Sequence, residues 1–182
     1  MSTNAFLTER IAYKGRELNV EYHYEEGFKA PWEEYDCHGV VTEWMPKDRK
    51  RPEYRIISTD GESVRFYDVE LSMQRARKQE WGCGIDAFMR LTGEHRRTPT
   101  NRMCVADAVE RDFQYLKDWC ENKWWWCWIN VVDVETGENE SLGGIEYHDF
   151  NTPENTAYIQ EVIDDLCEQV YMPSIRAQIK AA

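Results

Sequence analysis

Asp36, Cys37 and His38 stand side by side in the segment 31–44, PWEEYDCHGVVTEW, with Glu33, Glu34 and Glu43 close by. A histidine titrates near neutral pH, and a neighbouring carboxylate can orient its ring, so this segment holds the materials of an acid–base site. Asp36, His38 and Glu43 are its catalytic candidates. His23, Asp36, Cys37 and His38 are also zinc-ligand types. Their spacing lacks a paired pattern such as Cys-x-x-Cys, and adjacent Cys37 and His38 are poorly placed to chelate one ion, so no metal and no cofactor are expected. The plainer reading is a loop whose polar groups cap turns and face water. The chain has no Gly-rich phosphate loop ending in Lys-Ser/Thr, no His-Glu-x-x-His and no Gly-x-Ser-x-Gly. An enzyme is therefore the second reading, not the first.

Carboxylates dominate elsewhere. The net charge is −12, and residues 103–182 hold five Lys/Arg against sixteen Asp/Glu. Residues 47–102 are mildly basic, with thirteen against nine. A negative field repels nucleic acid and steers toward basic partners. The candidate partner-binding carboxylates are Glu135, Glu138 and Glu140 in a turn, Glu161, Asp164, Asp165 and Glu168 on one helix face, and Asp107 and Glu110 on another. Rows of carboxylates on a rigid scaffold can imitate a phosphate backbone, which carries one charge per about 1.7 Å of duplex axis. The competing reading is a solvated face that keeps the protein soluble.

These groups need elements to hold them. Trp124, Trp125, Trp126 and Trp128 open an apolar, strand-forming run that leads through Glu-Thr-Gly-Glu-Asn-Glu to a partner strand around Leu142–Tyr147. Trp124, Trp126 and Trp128 fall on one face, and Trp125, Cys127, Ile129 and Val131 on the other, so the strand is expected to be central and covered on both sides. Base stacking on the tryptophans would need basic flanks; the flanks are Glu121, Asp133, Glu135, Glu138 and Glu140, so core packing is expected. Exposed members could instead anchor a protein interface, a homodimer included.

Residues 7–23 alternate as a hairpin turning at Gly15, and residues 54–67 form a second, turning at Asp60-Gly61. The spacing predicts helices over about 69–80 with Asp68 as cap, over about 100–122, and over 153–172 with Thr152 as cap and Pro173 ending or kinking it. Ile85 to Leu91 suggest a further helical turn or two. Residues 24–39 read as irregular, and 45–52 as a basic polar link. The sum is α+β: a mostly antiparallel sheet with a central Trp-rich strand and three to four helices packed on it, in a single domain 1–182 that admits an N-terminal hairpin subdomain 1–67. No run of about 18 apolar residues and no signal-peptide pattern occurs, so a cytoplasmic protein with six reduced cysteines is expected.

The segments 31–44, 66–82 and 141–148 carry Pro-Trp-x-x-x-Asp-x-His-Gly, Tyr-Asp-Val and Ser-Leu-x-Gly-Ile-Glu in that order. In this the chain resembles a family of small tailed-bacteriophage proteins with no assigned activity. The resemblance implies expression in a host bacterial cytoplasm. Cys37 departs from the small Gly of that pattern. Together with the charge layout, the resemblance leads to the expectation of an anti-defence protein. Such a protein would be a non-enzymatic inhibitor of a CRISPR effector or restriction system that occupies the partner's basic nucleic-acid-binding surface without binding nucleic acid itself. The alternatives are a small enzyme or nucleotide-binding protein with its site in 31–44, and a homo-oligomeric interaction module.

Overall fold

Leu18, Val20 and Tyr22 alternate with Asn19, Glu21 and His23, and in the computed structural model, which describes residues 5–82, 100–148 and 153–181, that period becomes a strand. Strands β1 (Leu7–Tyr13) and β2 (Arg16–Tyr24) form an antiparallel hairpin. Its turn residues Lys14 and Gly15 have φ of 47° and 84°, the left-handed pair that a two-residue hairpin requires. The free edge of β2 pairs with β7 (Trp124–Asp133), and β7 with β8 (Asn139–His148), giving an antiparallel sheet in the order β1-β2-β7-β8.

The Trp-rich strand is therefore interior to its sheet. Cys127, Ile129 and Val131 pack with Leu18, Val20 and Tyr22 against Ile159, Val162, Ile163, Leu166, Cys167 and Val170 of the last helix, α4 (Pro153–Ala181). Trp124 and Trp126, on the opposite face, are buried too, at 1% and 7% exposure. The partner strand bulges at Gly143-Gly144, which together face Trp128 across the ladder. Gly144 adopts φ +73°, and the Glu25 carboxylate accepts its N–H at 2.6 Å.

The strands divide between two sheets. In the second, β6 (Ser63–Asp68) pairs with β5 (Tyr54–Asp60) along one edge and with the short β3 (Val40–Val41) and β4 (Met45–Pro46) along the other. A register shift in β5 between Ile56 and Ser58 turns Ile57 into the core and leaves Ile56 exposed. Ile57 and Tyr67 pack against Ala76 of α2 (Val69–Lys78) and against Val105, Val109, Phe113 and Leu116 of α3 (Asn101–Cys120). Asp68 caps α2 by accepting from Leu71 N at 2.9 Å, and Thr100 caps α3 by accepting from Met103 N at 3.3 Å.

Three expectations change. The irregular 24–39 stretch contains a short helix, α1 (Pro31–Glu34), opened by Pro31, whose fixed φ suits a first helical position. The polar link 45–52 holds β4 and a 3-10 turn, Lys47–Arg49. Of the two outcomes expected at Pro173, an end to the last helix is excluded: the helix runs on to Ala181, since a proline removes only one hydrogen bond of the ladder. The helical turns expected at 85–91 and the Thr152 cap lie outside the described residues.

The chain groups into two compact units, Met1–Phe28 with Lys123–Ala182, and Lys29–Asn122. The cause is the β2–β7 ladder, which ties the first hairpin to the C-terminal third and leaves the second hairpin with α1, α2 and α3. Among the described residues, no helix is long and apolar enough to cross a membrane.

Candidate functional site

The dipeptide His38-Gly39 follows α1 and leads into β3. Asp112 projects from the fourth turn of α3. His38 Nδ1 lies 2.7 Å from Asp112 Oδ1, while Asp112 Oδ2 accepts from Gly39 N and from the Tyr67 hydroxyl, each at 2.8 Å. A carboxylate only accepts, so Nδ1 carries the ring proton and Nε2 is the nitrogen left to gain or release one. The His38 ring is stacked on Tyr115 at 5.4 Å and 10°, and its carbonyl accepts from Arg75 at 2.7 Å. Burial, with the Asp112 charge added, pushes the Tyr67 hydroxyl up, so Tyr67 stays a proton donor. Gly39 is required here because a Cβ would collide with the Tyr67 ring.

Of the residues expected to work with His38, Asp36 and Glu43 are exposed, and neither bonds it. The Asp36 carbonyl accepts from Gln79 at 3.3 Å, and Glu33 reaches Arg65 at 3.8 Å. The carboxylate that orients the ring is Asp112, 74 residues away in sequence. One signal could have found it: Asp112 falls on the α3 stripe otherwise made of Val105, Ala108, Val109 and Leu116, and a charge on a core-facing stripe needs a buried partner. Cys37 is exposed, and what burial it has pushes its thiol pKa up, the opposite of an activated nucleophile. His23 belongs to β2, stacked on Trp128 at 3.9 Å. Among the described residues, no three His, Cys, Asp or Glu side chains converge on a point that could hold a metal.

The nine candidate carboxylates divide. Asp107 pairs with Arg111 at 3.2 Å, and Glu110 with Arg55; both lie on α3. Glu168 bonds Lys14 and accepts from the Tyr13 hydroxyl at 2.6 Å, and these partners hold its carboxyl below the usual range. Glu135, Glu138, Glu140, Glu161, Asp164 and Asp165 make no ion pair among the described residues. All six lie in the unit formed by 1–28 and 123–182. That unit holds six Lys/Arg against sixteen Asp/Glu, a net −10 of the chain's −12.

The three cations of its first 28 residues are all engaged: Arg10 with Glu17 at 3.5 Å, Lys14 with Glu168, and Arg16 with Asp133 at 2.7 Å. Asp133 also accepts from Glu135 N at 2.9 Å and Thr136 N at 3.0 Å, which fixes the acidic turn. Burial works to raise the Asp133 pKa, but Arg16 and these two amides outweigh it and hold it low. Glu138 and Glu140 line a recess of about 290 Å³ with Asn139, Gln169 and Val170. Glu161, Asp164 and Asp165 stand exposed on α4.

No protein family, curated protein or solved structure matches this chain.

Proposed function

We propose that the protein is a phage-encoded, non-enzymatic inhibitor that presents the carboxylates of its 1–28/123–182 unit to a basic nucleic-acid-binding surface of a host defence complex. The observation that carries this reading is the concentration of −10 in that one unit, whose N-terminal cations are already paired internally. Glu161, Asp164 and Asp165 follow the i, i+3, i+4 pattern of one helix face. They cover about 6 Å at 1.5 Å rise per residue, roughly one charge per 3 Å, close to the 3.4 Å spacing of a single strand of B-form DNA. The acidic turn, pinned by Asp133, adds carboxylates held on a rigid hairpin rather than a floppy tail.

The test is capture from bacterial lysate with the wild-type chain and with Glu161→Lys/Asp164→Lys/Asp165→Lys. The expected result is a nucleic-acid-handling enzyme that is retained by wild type, released by competing duplex DNA and lost with the triple variant. Retention that ignores both the competitor and the charge reversal sinks the idea.

The Asp112–His38 pair favours a second reading, a proton-transfer site at Nε2. The Asp112 partner fixes the tautomer as a catalytic base requires. His38→Gln, with folding intact, would then abolish the activity. An activity unchanged in that variant removes this reading.

A further inference from the structure

The second unit carries a charge feature of the opposite sign. Strand β4 ends at Pro46, and the 3-10 turn Lys47–Arg49 leads to Lys50 and Arg51. The chain is fastened on both sides of these cations. Met45 pairs with Val64 and Pro46 with Ser63, Lys50 N donates to Lys47 O, and Tyr54 N donates to Arg51 O at 3.0 Å. Lys47, Arg49 and Lys50 are exposed and make no ion pair among the described residues; Arg51 stands 4.0 Å from Glu53. The turn is thus a preorganised basic ridge rather than a mobile link.

We infer that this ridge docks on the α4 carboxylate face of a second copy of the chain, making a head-to-tail, salt-sensitive self-association. The two surfaces are complementary in sign and in length. At about 2 Å rise per residue, Lys47 to Lys50 spans roughly 6 Å. At about 1.5 Å per residue, Glu161 to Asp165 also spans roughly 6 Å. Lys47, Arg49 and Lys50, with the exposed Asp48 among them, thus form a net positive ridge about as long as the three exposed carboxylates, each set on a fixed backbone. Because the two surfaces differ, the contact is heterologous and can continue from copy to copy. The overall charge of −12 opposes association at long range. At about 0.1 M salt the screening length is only about 10 Å, so contact pairs act while distant repulsion fades. Exposed pairs are individually weak, so the association is weak and loosens with added salt.

This inference shares the α4 face with the proposed function but not the ridge, which keeps their failures apart. Sedimentation velocity of the full chain at about 0.1 M salt is expected to show concentration-dependent association, weakened about tenfold at 0.5 M, where the screening length shrinks to roughly 4 Å. Lys47→Glu/Arg49→Glu/Lys50→Glu is expected to be monomeric yet still to capture the host partner. Glu161→Lys/Asp164→Lys/Asp165→Lys is expected to lose both. Mixing the two reversed variants is expected to restore association, because each then offers the other an opposite charge at both surfaces.

The milder Lys47→Gln/Arg49→Gln/Lys50→Gln chain covers the case in which reversal harms folding, and is likewise expected to be monomeric. A wild-type monomer at every concentration overturns the inference, as does association that survives loss of the ridge charges. Ridge-dependent binding of a single-stranded oligonucleotide without self-association also overturns it, assigning the ridge to nucleic acid instead.

Discussion

Asp112→Ala removes the acceptor that joins α3 to the His38-Gly39 segment and to β6. Three donors lose their partner: Gly39 N and the Tyr67 hydroxyl at 2.8 Å, and His38 Nδ1 at 2.7 Å. Gly39 and Tyr67 are buried, so water does not replace the lost acceptor. Each orphaned buried donor costs about 1–3 kcal/mol. His38 contributes less, because its proton can move to Nε2. The expected loss is about 3–5 kcal/mol, a large share of the roughly 5–15 kcal/mol that holds a domain together.

Asp112→Asn separates the geometry from the charge. Its amide oxygen can still accept from Gly39 and Tyr67, and its NH2 can donate to a His38 ring protonated at Nε2, so only the charge-assisted part is lost, about 1–2 kcal/mol. Urea denaturation followed by tryptophan fluorescence measures both losses, and ring nitrogen shifts of His38 report the tautomer. An Ala variant within about 1 kcal/mol of wild type refutes the reasoning. So does an Asn variant as damaged as the Ala one, or a wild-type ring already protonated at Nε2 alone.

Gly39→Ala places a methyl against the Tyr67 ring and is expected to block folding of the 29–122 unit, read as lost amide protection there; Gly137→Ala, with open space around it but φ +74°, is expected to cost only about 1 kcal/mol. The Asp133 and Glu168 pKa values are depressed in the folded state, so their stabilisation is present above the ordinary carboxylate pKa near 4 and disappears as pH falls through the depressed values. The drop in Tm between pH 7 and pH 3 should therefore be smaller for Asp133→Asn than for wild type, and equal drops would contradict the assignment. In a Cys83→Ser background at pH 8, Cys37 should react with a thiol reagent well before Cys120, Cys127 and Cys167. Cys37 is exposed, whereas burial pushes those three up to about 11, 12 and 11.

Local pattern carries much of this molecule. The alternation of Leu18, Val20 and Tyr22, the Lys14-Gly15 turn, the Asp68 cap and the two-sided apolar run at Trp124–Val131 are short-range chemistry, and each appears in the structure where the sequence places it. The second hairpin turns one residue later than Asp60-Gly61 suggests, at Gly61-Glu62, because Asp60 still pairs with Ser63. The charge imbalance is equally a property of the sequence, since it needs only counting.

Tertiary structure decided what pairs with what. Nothing local says that β2 joins β7 across some 100 residues, and that pairing gathers residues 1–28 and 123–182 into one strongly acidic unit. Nothing local separates Asp107, Glu110 and Glu168, already bound to Arg111, Arg55 and Lys14, from Glu161, Asp164 and Asp165, which are not. The partner of His38 is the clearest case. Nearby Asp36 and Glu43 looked suited to it, but they face water. Asp112 sits on the apolar stripe of α3, where burial leaves a charged group no choice but to find donors, and the fold brings His38, Gly39 and Tyr67 to meet it.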